Sequence, residues 1–184
     1  MRRVIGLSGR SHAGKDTVAA CLVTRFGFVR VAVADHLKRA AQLAFALTNE
    51  QLWGNGRDVD DPRYGRTPRE LYQRMGDAMN TIAPESMLTD VRRVLNDPEA
   101  PDIVVSDVRL PREVALIRAH RGEVWRVTRS HQAQIARGGA HHTETALDEL
   151  AADVALANDG TVAELDALVG RHVQGWELRR SAER

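Results

Sequence analysis

Residues 9–17 constrain this chain more than any other segment. Gly9-Arg10-Ser11-His12-Ala13-Gly14-Lys15-Asp16-Thr17 sets two glycines and a lysine at the spacing of the Walker A phosphate loop. Val4-Ile5-Gly6-Leu7-Ser8 precedes it and reads as a short buried strand. Val18, Ala19, Leu22, Val23 and Phe26 follow it at helical spacing from Asp16 onward, and Gly27 stops that helix. A strand that turns through glycines into a helix points backbone N–H groups inward. The helix adds the partial positive charge of its N-terminus, and phosphate oxygens fit both. Lys15 can reach the β- and γ-phosphates. Thr17 can offer a hydroxyl to the α-phosphate. Asp16 stands where most such loops carry the Ser or Thr that touches Mg2+. A carboxylate can also hold that ion, directly or through water. His12 reads as a solvent-facing filler.

The rest of the chain alternates strand and helix patterns. Phe28 to Val33 reads as a second strand, and the helical period returns from Asp35. Asn55 to Arg66 reads as a polar loop. Thr67-Pro68-Arg69-Glu70 is a helix start: Thr as N-cap, Pro at the first position and an acid in the first turn. Another helix is expected from Pro84 to Leu95, and a third strand at Ile103-Val104-Val105. Further elements are a helix from Pro111 to His120, a fourth strand from Glu123 to Thr128, a short helix from Thr143 to Leu150, a fifth strand from Val154 to Leu156 and a last helix from Thr161 to Val169. Such alternation predicts a parallel sheet with helices on both faces. Ligands then bind beyond the carboxyl ends of the strands.

Composition narrows the partners. Lys plus Arg number 26 and Asp plus Glu 25, a balance that argues against a general polyanion binder such as a duplex nucleic acid protein. Lysine occurs only at Lys15 and Lys38. Cys21 is the single cysteine and sits among apolar residues, where a small buried hydrophobe fits. No apolar run reaches membrane-spanning length and no signal-like segment opens the sequence. A cytoplasmic protein with no membrane partner is the resulting expectation.

Six segments together resemble the bacteriophage-type deoxynucleoside monophosphate kinases and the similar animal phosphomevalonate kinases. They are Gly14-Lys15-Asp16-Thr17, Val33-Ala34-Asp35-His36-Leu37-Lys38, Thr67 through Gly76, Val105-Ser106-Asp107-Val108-Arg109, His142 through Asp148, and Asn158-Asp159-Gly160-Thr161. They fall in family order from residue 5 to residue 169. The sequence departs from the pattern at His36, where the family has Pro, and at Gly76-Asp77-Ala78, where Thr-Glu commonly follows the Gly. Both departures lie on the acceptor side.

The resemblance implies a P-loop α/β three-layer sandwich with a five-stranded parallel sheet, read as one domain over residues 1–184. It carries a helical acceptor-binding region at 48–96 and a lid at 129–143. ATP and Mg2+ are the implied cofactors, and a deoxynucleoside monophosphate is the implied small-molecule partner. A homodimer is compatible with the sequence. Gly9 through Thr17 would hold the triphosphate, with Asn158 and Gly160 touching adenine or forming only a turn and a cap. Asp107 would hold a magnesium-bound water or orient the acceptor phosphate, or else pair structurally with Arg109. Asp16 is the second metal candidate. Arg109 would fork onto phosphate oxygens, a geometry that suits guanidinium. Arg129 and Arg137 would neutralise the transferring group from the lid, or else lie in a disordered polar loop. Asp35 would accept from sugar or base, or cap its helix, and Lys38 would contact the acceptor phosphate or lie on a solvated face. Arg69 and Gln73 share one helix face, for phosphate and base edge respectively or as ordinary polar surface. Glu144, counted with the substrate-binding residues, would brace the lid or contact its arginines. The rival readings are a kinase of another small phosphorylated acceptor or of a modified base in DNA, and a nucleotide-binding regulatory ATPase.

Overall fold

The computed structural model describes residues 2–130 and 150–182. The strands are β1 (Val4–Ser8), β2 (Val29–Val31), β3 (Ile103–Val105), β4 (Glu123–Thr128) and β5 (Val154–Ala157). The helices are α1 (Lys15–Phe26), α2 (Val33–Phe45), α3 (Asn49–Trp53), α4 (Pro68–Ile82), α5 (Thr89–Asn96), α6 (Pro111–Ala119) and α7 (Val162–Ala182). Short 3-10 turns lie at Asn55–Asp58 and Pro84–Leu88. The chain forms two compact units, Met1–Val31 with Asp97–Arg184, and Ala32–Asn96.

The first unit is built on a five-stranded sheet in the order β2-β3-β1-β4-β5. Every pairing is parallel, so each strand-to-strand step needs a crossover and no hairpin can substitute. β1 is central, with Ile5 opposite both Val104 and Glu123. The strand's two faces divide the packing. Ile5 and Leu7 join Val18, Leu22, Val104, Trp125, Leu156, Leu165 and Val169 in one buried cluster, which α1 and α7 supply from the helical side. Gly6 faces the other way, where a Cβ would lie 2.9 Å from Val108 and 3.1 Å from Ile117 of α6. The missing side chain lets α6 sit close on that face. The expected α/β arrangement with a five-stranded parallel sheet is therefore present.

Two helices differ from their expected lengths. α7 continues past Val169 through Gly170 and Gly175 to Ala182. Val173 and Trp176, buried in the same cluster as Leu165 and Val169, hold the helix through its glycines. The segment expected as one helix from Pro84 divides into a 3-10 turn and α5.

The second unit packs α2 to α5 around Leu37, Ala41, Leu52, Leu71, Met87, Leu88 and Val91. Gly76 of α4 admits Leu37, whose Cδ2 would lie 2.8 Å from a Cβ there. The polar segment 55–66 is ordered around one carboxylate. Asp61 is 2% exposed and accepts from the Arg63 guanidinium and from Gln51 Nε2 at 2.9 Å. The Arg63 guanidinium holds the Asp61 carboxyl far below the usual range. Tyr64 Oη then donates to the Phe45 carbonyl at 3.0 Å. Among the described residues no helix is long and apolar enough to cross a membrane.

α4 begins as its sequence predicts. Thr67 Oγ1 accepts from Glu70 N at 3.2 Å, and Glu70 Oε2 accepts from Thr67 N at 3.0 Å. This reciprocal pair satisfies two N–H groups that the helix geometry leaves without partners. Thr67→Ala is expected to lower stability by about 1 kcal/mol, read as a shift in the urea midpoint at unchanged slope.

Candidate active site

The phosphate loop leaves β1 at Gly9 and enters α1 at Lys15. Gly9 has φ 141°, and a Cβ there would lie 2.3 Å from the Val127 carbonyl oxygen of β4. Gly14 has φ 105°, and its Cβ would lie 2.2 Å from Asn158 Nδ2. Both positions thus require glycine on conformation and on space. Between them, Ala13 N donates to the Arg10 carbonyl at 3.2 Å and closes the turn. His12 is exposed and left-handed at φ 61°. Gly14 caps α1 without a side chain, so no side-chain oxygen of the cap takes the first-turn N–H groups. Lys15 Nζ donates to the Gly9 and Arg10 carbonyls, both at 2.8 Å. Its ammonium is thus already seated at the loop. Asp16 is exposed and Thr17 half-buried at the start of α1.

A residue from the far end of the chain braces this loop. Asn158, 7% exposed, donates from Nδ2 to the Ala13 carbonyl at 2.8 Å. Its own N–H donates to the Thr128 carbonyl at 2.7 Å, which ties the end of β5 to the end of β4. The next residue repeats the tie: Asp159 Oδ1 accepts from Ser130 N at 2.5 Å and Ser130 Oγ at 2.7 Å. Those bonds hold the Asp159 carboxyl below its ordinary value. Gly160 lies against Glu164, whose carboxylate accepts from Thr161 N at 2.7 Å to start α7. A cleft of about 380 Å³ is lined here by Asn158, Gly160, Leu165, Leu168 and Arg171.

The loop after β3 carries Asp107 and Arg109, both half-buried, on either side of the fully buried Val108 and ahead of α6. Val108 N donates to the Leu7 carbonyl at 2.9 Å, which holds this loop beside β1. Glu113, 5% exposed, turns its carboxylate back onto it. Glu113 Oε2 accepts from Arg109 N at 2.5 Å and from Leu110 N at 3.0 Å. Burial pushes the Glu113 carboxyl up to about 7; the Arg109 N–H opposes that rise and the Asp107 charge adds to it. Sequence reading missed Glu113, although Leu110-Pro111-Arg112-Glu113 carries the signal of Pro at N1 and an acid at N3. It also missed Ser8 and Ser106, buried hydroxyls at the ends of β1 and β3 that have no hydrogen-bond partner among the described residues.

The acceptor-side candidates lie in the second unit. Asp35 Oδ1 accepts from Trp53 Nε1 at 3.0 Å, and its helix is not capped by a side chain. Lys38 Nζ lies 5.6 Å from the Trp53 ring centroid and 6.0 Å from that of Tyr72. Asp35, Lys38, Trp53 and Tyr72 therefore form one cluster. Arg69 forks onto Asp58, with Nε–Oδ1 at 2.5 Å and Nη2–Oδ2 at 3.1 Å. The same guanidinium holds the Asp58 carboxyl below its usual range. Gln73 stands one turn along α4, half-buried. His36 Nδ1 meets Asp90 Oδ2 at 2.9 Å. Trp53 and Asp58 had no signal in the sequence, because only folding brings them to Asp35 and Arg69.

Arg129 is exposed just beyond β4, and its charge acts on Asp159. Arg137, Glu144 and residues 131–143 of the expected lid lie outside the described residues. Among the described residues no group of three or more His, Cys, Asp or Glu side chains could hold a metal ion. The donor set beside the loop is carboxylate and hydroxyl oxygen: Asp16, Asp107 and the buried Ser8 and Ser106. That set fits Mg2+, which takes one or two carboxylates and completes its shell with water and substrate phosphates.

Glu113 makes stability depend on pH. The folded chain holds this proton up to about 7, whereas the ordinary value is 4.5. Between those values the folded state binds more protons than the unfolded one, so stability falls as pH rises through the window and levels above it. His120 acts in the opposite sense, because burial and the Arg2 charge lower its pKa. The difference between wild type and Glu113→Gln isolates the carboxyl. The denaturation midpoint of the wild type, relative to that of the variant, is expected to drop from pH 5 to pH 7.

No family model matches the sequence. The chain is 31% identical over 179 residues to a protein of Acanthamoeba polyphaga mimivirus named "Putative deoxynucleotide monophosphate kinase", covering 88% of this chain and 91% of that one. Among solved structures, a Thermus thermophilus protein superposes with a TM-score of 0.56 at 19% identity, covering 95% of this chain and 97% of its own. Shikimate kinase from Aquifex aeolicus does so with a TM-score of 0.54 at 14% identity, covering 95% and 98%. These two likenesses are of fold. The sequence match over 88% of the chain, the glycine loop and the 2-3-1-4-5 parallel sheet agree: this chain is a kinase with a nucleotide-binding P-loop, and it belongs to the deoxynucleotide monophosphate kinase family.

Proposed function

We propose that the chain transfers the γ-phosphoryl group of ATP to a deoxynucleoside monophosphate, giving ADP and the deoxynucleoside diphosphate. The observation that carries this reading is the match along nearly the whole chain to a relative named for that activity. The seated Lys15 ammonium and the glycine loop support its donor half. Phosphoryl transfer asks mainly for positioning and charge neutralisation, so no general base is required. Backbone N–H groups from Gly9 to Thr17 and the Lys15 ammonium bind the β- and γ-phosphates. Asp16 and Asp107 are the residues that would hold Mg2+. The ion, when bound, neutralises charge on the phosphate oxygens. Arg109 and Arg129 add guanidinium charge to the transferring group.

The second unit supplies the acceptor contacts in this reading. A monophosphate carries close to two negative charges, and a guanidinium fork matches its oxygens. Arg69 now presents that fork to Asp58, so the acceptor phosphate exchanges with a carboxylate of similar geometry. Lys38 adds an ammonium, Asp35 an acceptor for sugar or base, and Gln73 an amide for a base edge. A site that reads a base by hydrogen bonds rejects a base that leaves its groups unpaired.

A coupled ADP-release screen over all deoxy- and ribonucleoside monophosphates, with phosphomevalonate as a control, tests the assignment. ADP release is expected with one or more deoxynucleoside monophosphates and only background release with phosphomevalonate. Turnover indifferent to every acceptor would refute it and favour a regulatory ATPase. Lys15→Ala is expected to lower turnover by about 10²-fold or more, as loss of one preorganised donor does. Arg69→Ala is expected to raise the KM of every monophosphate alike, whereas Gln73→Ala reorders the bases. In both variants the KM for ATP should stay near the wild-type value.

A further inference from the structure

The loop Ser106 to Leu110 carries two residues that the proposed reaction uses, Asp107 and Arg109, yet its backbone leaves the sheet as it passes them. β3 ends at Val105. Val108 N reaches the Leu7 carbonyl, and the next two N–H groups, of Arg109 and Leu110, turn away from the strands. Both converge on a single oxygen, Glu113 Oε2, at 2.5 and 3.0 Å. The carboxylate that receives them is almost wholly enclosed, on a helix whose Val114 and Ile117 are buried beside it. A buried carboxyl group is costly to keep there unless its bonds are needed. An ordinary helix start would take one N–H; this one also takes the N–H of Arg109, one residue further out.

On that geometry, and resting on the kinase reading above, we propose that Glu113 is a positioning residue for catalysis. Its Oε2 sets the backbone at Arg109 and Leu110, and thereby the direction in which the Arg109 guanidinium and the neighbouring Asp107 carboxylate leave the sheet. The role belongs to geometry and not to charge. One acceptor oxygen at the end of a side chain of this length suffices, and an amide oxygen serves as well as a carboxylate. The raised carboxyl pKa agrees, because the site tolerates the neutral form near pH 7.

Three substitutions separate reach from charge. Glu113→Gln keeps the reach and loses the charge. Glu113→Asp keeps the charge and is one methylene short of the two N–H groups. Glu113→Ala loses both. Turnover would be measured with ATP, Mg2+ and the most active deoxynucleoside monophosphate of the screen, well below each variant's Tm. Glu113→Asp and Glu113→Ala are expected to lower kcat by about 10- to 100-fold, as a misplacement on the order of 1 Å does, with the KM for ATP unchanged. Glu113→Gln is expected to recover most of that kcat. If Glu113→Asp turns over like wild type, or Glu113→Gln is as impaired as Glu113→Ala, the proposal is overturned. A fall in Tm with wild-type kcat in all three variants would also overturn it, leaving Glu113 a structural residue only. Arg109→Ala and Asp107→Asn, measured alongside, separate the two levels. If they lose turnover while the Glu113 variants do not, only the positioning role fails. If they keep it, the kinase roles of that loop fail and the positioning role with them.

Discussion

A hydrogen bond between residues 145 positions apart holds the phosphate loop in place: the Asn158 amide donates to the Ala13 carbonyl. The bond is buried, so its carbonyl would be left without water if the amide were removed, a loss of about 1–3 kcal/mol. Its geometry also explains the glycine before the lysine, because Asn158 Nδ2 occupies the space a side chain at Gly14 would need. The order of the sheet makes this contact available. β4 lies beside β1 and β5 beside β4, so the residue after β5 arrives next to the loop after β1. The Val127 carbonyl of β4 meets Gly9 in the same way.

The polar groups beside the phosphate loop differ in setting from the pair that Arg69 makes with Asp58. Around the loop, polar groups are enclosed and directed: Glu113 onto two backbone N–H groups, Asn158 onto a carbonyl, Lys15 onto two more. In the second unit one pair is more open. Arg69 and Asp58 are 34% and 55% exposed at their side chains, and an ion pair in such a setting is worth about 0–1 kcal/mol. Its value is orientation more than stability. A weakly held fork can exchange one carboxylate for another anion, which a buried pair such as Asp61 with its partners could not do without loss of the loop around it.

Much of the donor half was legible in the residues themselves. Spacing of glycine and lysine between a strand and a helix carries its own geometry, and Thr67-Pro68-Arg69-Glu70 announced α4 through local chemistry. α7 was underestimated because Gly170 and Gly175 weaken a helical pattern, while the burial of Val173 and Trp176 overrode them. The cluster of Asp35, Lys38, Trp53 and Tyr72 was only half visible, since an indole in one helix and a carboxylate in another share no sequence spacing. Nothing in the sequence places the Asn158 side chain on the Ala13 carbonyl, because the two residues share no local spacing.

What the sequence determined by itself is local: the phosphate loop, the helix starts and stops, the strand patterns and their alternation, all set by dihedral preference and by neighbours within a turn or two. The parallel sheet followed from that alternation, because parallel strands need helical crossovers. Tertiary structure alone decided which distant groups meet. It set Asn158 on Ala13, Val127 on Gly9, Asp58 on Arg69 and Trp53 on Asp35, and it buried Glu113. Those choices depend on strand order and helix packing, which bring together residues that are far apart along the chain and carry no periodic signal.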